Sequence, residues 1–170
     1  MTSRRSEAMS GAAWTGGRQC GAVRFATDDL GRASLCHCRM CQKAFGRIGG
    51  PLVTAKGLRW TRRRPKRLQS SNKVRRGFCA DCGTPLTYEY EDTVELAIGA
   101  FDRPSDIRPA IQLAREARLP WVDGIASLPS RPPEEEKAEA LLKSIISYQH
   151  PDADTIDRSA PDRILADADP

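Results

Sequence analysis

From residue 16 onward the chain alternates apolar and polar positions in short runs, each cut off by turn-forming residues. Ala22-Val23-Arg24-Phe25-Ala26-Thr27 alternates as a short strand does, and Asp28-Asp29-Leu30-Gly31 then supplies turn chemistry. The same reading predicts strands at 51–54, 58–61, 67–70, 73–78, 85–90 and 94–99. Gly49-Gly50, Lys56-Gly57, Pro65, Ser70-Ser71-Asn72, Gly83 and Glu91-Asp92 punctuate them. No helix of crossover length separates these runs, so the expectation is a mainly β fold of small antiparallel sheets. Only 39–45 could add a helical turn or two in that region. The segment 107–117 fits a helix through Ala110, Leu113, Ala114 and Ala117, and fits a strand through the Ala110-Ile111-Gln112-Leu113 run that follows Pro109; we read it as a strand.

Pro129, Pro132 and Pro133 end this pattern, and a period of 3.6 takes over. An amphipathic C-terminal helix is predicted over 134–149. Glu134, Glu135 and Glu136 sit in its first turn, where they complement the positive end of the helix dipole. Ala138, Leu141, Leu142, Ile145 and Ile146 then line one face, which is expected to dock on the domain or on a partner. Residues 1–14 and 150–170 lack periodicity and read as a disordered leader and a disordered acidic tail, with His150 incidental within it. The domain proper is 15–130.

A length of 170 residues suits one such domain with tails. Hydrophobic residues make up 39% and aromatic ones 6%, so the core is expected to be modest and a metal cross-link would add usefully to stability. No apolar stretch approaches the roughly 20 residues that span a bilayer, and Ala12-Ala13-Trp14 is too short for the apolar core of a secretory signal. A soluble, cytoplasmic protein is expected, with no membrane partner. In that compartment six cysteines point to metal or redox chemistry before disulfides.

The net charge of +5 is unevenly spread: residues 131–170 hold ten acidic and five basic side chains, a net of −5, which leaves +10 for residues 1–130. Arg59-Trp60-Thr61-Arg62-Arg63-Arg64-Pro65-Lys66-Arg67 puts six cations in nine residues, and Arg75-Arg76 follows. Such a basic hairpin, 59–76, reads first as a charged sheet edge that resists aggregation and second as a surface that grips nucleic acid or protein. The second possibility defines an alternative function, a non-catalytic zinc-binding module.

Cys36-His37-Cys38-Arg39-Met40-Cys41 packs three thiols into six residues. In extended chain Cys36 and Cys38 share a face and His37 points the other way. A helical turn entered at Cys38 then brings Cys41 to the same side, so three sulfurs can converge on one ion. His37 is either a proton shuttle or, facing away, a structural residue. Cys79-Ala80-Asp81-Cys82-Gly83 is a C-x-x-C knuckle, and Cys20-Gly21 supplies a sixth thiol. Two divisions remain open. Four thiols could close one structural zinc, or three within 36–41 could form a site with an open position, the mark of a catalytic zinc, while Cys20, Cys79 and Cys82 form another.

Taken in order, Gly16-Gly17-x-x-Cys20-Gly21-Ala22-Val23-Arg24-Phe25, then Cys36-His37-Cys38-Arg39-Met40-Cys41-Gln42, then Phe78-Cys79-Ala80-Asp81-Cys82-Gly83-Thr84-Pro85-Leu86, closing on Arg118-Leu119-Pro120-Trp121, resemble the glutathione-dependent formaldehyde-activating enzyme family, also called the Gfa or centromere-protein-V family. The resemblance implies small antiparallel sheets around zinc, related to the Mss4-like fold, and a carbon–sulfur lyase activity joining formaldehyde to the glutathione thiol. It implies a catalytic zinc on Cys36, Cys38 and Cys41 and a structural zinc on an early C-x-C pair with the later C-x-x-C, matching Cys20, Cys79 and Cys82. The chain departs from the pattern at one position: Arg18 stands where the family usually has the first cysteine of that early pair, and arginine cannot replace a thiolate ligand. Glutathione carries two carboxylates, so Arg39, Lys43 and Arg47, beside the first cysteines, are the candidate substrate-binding cations. A monomer and a homodimer are both compatible with the sequence.

Overall fold

The structure, a computed structural model, describes residues 14–130, 132 and 136–155. Ten strands follow in chain order: β1 Trp14–Gly17, β2 Arg24–Thr27, β3 Asp29–Cys36, β4 Gly50–Lys56, β5 Arg59–Trp60, β6 Lys66–Gln69, β7 Val74–Phe78, β8 Pro85–Tyr90, β9 Thr93–Ala97 and β10 Ile111–Leu113. Helix α1, Arg39–Phe45, lies between β3 and β4, and α2, Glu136–Ser144, follows the strands. Single 3₁₀ turns carry the chain from β9 to β10, and a longer 3₁₀ stretch, Pro120–Ser127, follows β10. No helix among the described residues is long and apolar enough to cross a membrane.

β1, β2 and β5 form a small antiparallel sheet, and the other seven strands form a second in the order β10-β3-β4-β9-β8-β7-β6. The fold is mainly β, as the alternating runs predict, and six of those predicted runs recur as β4 to β9 within a residue or two. The expectation of purely antiparallel sheets needs one correction: β10 runs parallel to β3. A parallel pair requires a crossover, and here it is made by the hairpins and 3₁₀ turns between the two strands rather than by a helix. The preferred strand reading of 107–117 holds for Ile111–Leu113.

The turn expected at Asp28–Gly31 is instead the start of β3, which continues to Cys36 with an irregularity between Leu30 and Ala33. Flanked on both edges by β10 and β4, this strand buries both Ala33 and Ser34, neighbours on opposite faces, so it lacks the period that marks a half-exposed strand. Trp14, placed in the leader, opens β1; residues 1–13 lie outside the described residues.

Phe25 holds the centre of the core at 1% exposure, its ring edge-on to Phe101 at 5.0 Å and to Trp60 at 6.3 Å. Burying one such ring contributes about 2–3 kcal/mol. Ala22, Val23, Val53, Leu86, Leu96, Ile98 and Ile107 complete the same cluster. Gly16 is needed here, because a Cβ would lie 2.3 Å from the Ala100 carbonyl oxygen. A buried ion pair ties the small sheet to the turn after β9: Arg24 donates to both carboxylate oxygens of Asp102, at 2.8 and 2.7 Å, and Thr15 Oγ1 donates to the same group at 2.6 Å.

Two expectations about the C-terminal region change. The predicted helix forms over Glu136–Ser144, but Leu141, Leu142, Ile145 and Ile146 are half to three-quarters exposed, so the apolar face docks on nothing among the described residues. The segment that does dock is the one after it. His150 N–H donates to the Gln19 carbonyl at 2.8 Å, and the Arg62 guanidinium takes Asp154 Oδ1 at 2.7 Å and the Thr155 carbonyl at 2.9 Å. The tail's first residues are therefore a strap across the Cys20 turn, and His150 is not incidental. Residues 156–170 lie outside the described residues.

Candidate metal centre

β3 delivers Cys36 opposite Gly50 of β4, and the chain then turns through His37 into α1. Cys38 caps the helix: its Sγ accepts from the Cys41 N–H at 3.4 Å. A sulfur in the cap position does the work that an Asp or Ser oxygen usually does. The Sγ atoms of Cys36, Cys38 and Cys41 all lie within 4.8 Å of one another. Cys41 is buried, while Cys36 and Cys38 are half-buried, so one side of the cluster remains open.

His37 points away from the sulfurs, as strand alternation requires, and is 1% exposed. Its Nε2 pairs with Gln112 Oε1 at 2.9 Å, and its backbone N–H donates to the Leu113 carbonyl at 2.9 Å. Gln42, also buried, donates from Nε2 to the carbonyls of His37 at 2.7 Å and Ala117 at 3.0 Å. Both residues lash the cysteine turn to β10 and the segment after it, a structural role.

The group that sequence reasoning missed is Arg76. It is 7% exposed, its Nη2 reaches Cys41 Sγ at 3.4 Å, and its Nε donates to Ser70 Oγ at 3.0 Å. The guanidinium sits over Tyr88 at 4.9 Å and Phe45 at 5.9 Å. Arg75-Arg76 reads as one more pair of surface charges. The signal that identifies Arg76 is the period of two in β7: Val74 is buried, Arg75 exposed and Arg76 buried.

Burial pushes the Cys36 thiol up to about 12 and, partly offset by Arg76, also raises Cys41. Cys38 is lowered: burial opposes ionisation there, but the amides of Cys41 and Met40 and the hydrogen bonds shared with the neighbouring sulfurs outweigh it. These are three soft donors in one small space, and the set fits zinc.

The second group forms between the Arg18–Cys20 turn and the β7–β8 knuckle. Cys20, Cys79 and Cys82 also lie within 4.8 Å of one another, with Cys20 and Cys79 Sγ 3.6 Å apart. Gly83, at φ 71°, lets the knuckle close, its N–H donating to the Cys79 carbonyl at 3.0 Å. Burial holds Cys20 up at about 12. At Cys82 burial is overcome by the Thr84 hydroxyl and amide, which bring its thiol down to about 7. Arg18 is 3% exposed beside this group, and its Nη1 donates to the Thr84 carbonyl.

The three candidate substrate cations are treated differently by the fold. Arg39 is exposed on α1, its Nη1 3.2 Å from Gln42 Oε1, and Lys43 is exposed on the same helix. Arg47 lines a cavity of about 200 Å³ together with Phe45, Arg24, Gly99 and Asp102. Phe45 joins this cavity to the cysteines, since its ring packs beside Gly50, where a Cβ would meet both Phe45 at 3.0 Å and Cys41 Cβ at 3.2 Å.

Most cations of the basic hairpin have an acidic partner, although Arg59, Arg63 and Arg67 stay exposed. Arg59 pairs with Asp28 at 2.7 Å, Arg62 with Asp154 at 2.7 Å, Arg63 with Asp81 at 3.2 Å and Arg67 with Glu89 at 2.9 Å. With Arg76 turned inward as well, Arg64, Lys66 and Lys73 are the cations of this segment without such a partner among the described residues.

Against known families, a model described as glutathione-dependent formaldehyde-activating enzyme matches residues 13–116. Among solved structures, a crystal structure of a Rhodobacter sphaeroides protein aligns at 20% sequence identity and a TM-score of 0.47, covering 58% of this chain and 98% of that one. No curated protein matches the chain.

Proposed function

Because the chain belongs to the glutathione-dependent formaldehyde-activating enzyme family, we propose that Cys36, Cys38 and Cys41 hold one zinc ion and that the protein joins formaldehyde reversibly to the glutathione thiol, as a carbon–sulfur lyase. The observation that carries this reading is the convergence of three sulfurs within 4.8 Å with two of them half-buried, which leaves one side of the cluster open to a small molecule. When bound, zinc supplies Lewis acidity and favours thiolate over thiol near neutral pH.

The reaction needs no oxidant. The glutathione sulfur forms a bond to the formaldehyde carbon, the carbonyl π pair moves onto oxygen, and the thiol proton ends on that oxygen to give the hydroxymethyl thioether. The residues of the chain position and hold. Arg76 donates to Cys41 and favours its thiolate against burial. Gln42 and His37 fix the turn that carries Cys36 and Cys38. Arg47, in the cavity beside Phe45, offers a cation to one glutathione carboxylate, and Arg39 and Lys43 on α1 offer charge to the other.

The test is zinc analysis of wild type and Cys38→Ser together with NMR exchange between formaldehyde and glutathione. The expected result is loss of one zinc equivalent and exchange at the uncatalysed rate in the variant. A variant that keeps its metal, or that still accelerates exchange, overturns the assignment.

A further inference from the structure

The family pattern calls for a second metal ion on Cys20, Cys79 and Cys82, and the residues around that group argue against one. The position that would supply a fourth thiolate is Arg18, whose side chain can only donate. No other ligand joins the three sulfurs among the described residues. Asp81, inside the knuckle, faces the exposed Arg63 at 3.2 Å. His150, stacked against Gly21, spends its ring nitrogens on the Pro151 carbonyl at 2.7 Å, Thr155 Oγ1 at 3.1 Å and Arg62 at 3.3 Å.

Arg18 is also more than a missing ligand. The Gly21 N–H donates to the Arg18 carbonyl at 2.9 Å and the Arg18 N–H donates to the Val23 carbonyl at 3.0 Å, so the tight turn that presents Cys20 also turns the Arg18 side chain inward. Its Nη1 donates to the Thr84 carbonyl, the same oxygen that accepts from the Cys79 N–H at 3.0 Å. The cation is thereby anchored on the rim of the knuckle, at 3% exposure, and its charge acts on all three cysteines. Its Nε and Nη2 have no hydrogen-bond partner among the described residues. A buried cation at this position already supplies the positive charge that a metal ion would bring to the space. A divalent ion among those sulfurs would have to sit beside that fixed charge.

We propose that the Arg18 guanidinium takes the place of the second metal ion, so that Cys20, Cys79 and Cys82 form a metal-free cluster beside an internal arginine. The knuckle is then held to the first turn of the domain by the Arg18 hydrogen bond to the Thr84 carbonyl, and the chain carries one zinc site where its family pattern calls for two. That count of one rests on the zinc reading of Cys36, Cys38 and Cys41; the state of the second group does not.

The test compares zinc content between variants of the full chain, so that the first site cancels. Cys82→Ser is expected to hold as much zinc as wild type. Arg18→Cys, which restores the fourth thiol, is expected to hold one equivalent more, and Arg18→Cys combined with Cys82→Ser is expected to lose that gain. If Cys82→Ser lowers the zinc content by one equivalent, wild type binds metal at this group and the inference is wrong. A folded Arg18→Cys that gains no zinc also overturns it. Should Arg18→Cys fail to fold, the comparison of wild type with Cys82→Ser decides alone. Cys38→Ser reports separately on the other site.

Discussion

Replacing Arg76 by methionine removes a buried donor from Cys41 while filling the space between Tyr88 and Phe45 with a chain of similar length. Hydrogen bonds to charged groups contribute about 1.5–3 kcal/mol. The Arg76–Cys41 contact is long, at 3.4 Å, so the lower end applies, about 1.5 kcal/mol or roughly a tenfold loss of zinc affinity. The sign with pH follows from the thiol. Arg76 lowers the Cys41 pKa against the burial that raises it, so in its absence Cys41 holds its proton to a higher pH and competes better with the metal. If zinc displaces three thiol protons, a tenfold loss moves the pH of half-release up by about 0.3 of a unit. Competition against a chromogenic chelator over a pH series reads both quantities, with circular dichroism confirming the fold. Arg76→Lys, which keeps the charge but not the planar stack, is expected to fall between. An Arg76→Met protein that binds zinc as tightly as wild type and releases it at the same pH would show that this guanidinium is packing alone.

Two further outcomes are expected. Asp102→Asn leaves Arg24 buried without its carboxylate, at a cost of about 3 kcal/mol, the low end for a broken buried pair because Asp154 stands 4.0 Å away. In urea melts Arg24→Met with Asp102→Leu should then be less destabilised than the sum of the two single changes, and strict additivity would refute the coupling. Cys82, exposed and lowered from 9.0 to about 7, is expected to be alkylated with a rate that falls as pH drops through about 7; a midpoint near 9, or protection by metal, contradicts the environment described for it.

The spacing of C-x-C-x-x-C makes the first sulfur group legible, because it dictates local geometry that tertiary context need not supply, whereas Cys20 joins the C-x-x-C knuckle across 59 residues and its place there follows only from the resemblance. The hairpin strands are legible for the same reason: their alternation is a local property, preserved wherever one face stays exposed. β3 is not, since burial between β10 and β4 erases the alternation that would mark it. Its pairing with β10 is set by contacts far apart in the sequence, such as His37 with Gln112, and no local pattern encodes them. Arg76 and Arg18 escape for a different reason. An arginine reads as solvent-facing by default, and only its strand neighbours or its turn reveal that it points inward. The strap at His150–Thr155 has no signal of its own, because Asp154 and Thr155 acquire meaning only once Arg62 is known to be buried at 6%.

That strap bears on the order in which the molecule is finished. Gly21 leaves the ribosome early, yet the ring that covers it belongs to His150, on the order of ten seconds later at ordinary rates of synthesis. Through that interval Arg62 lacks its carboxylate. A nascent chain, or a fragment ending before His150, therefore carries a stranded cation that the strap otherwise pairs.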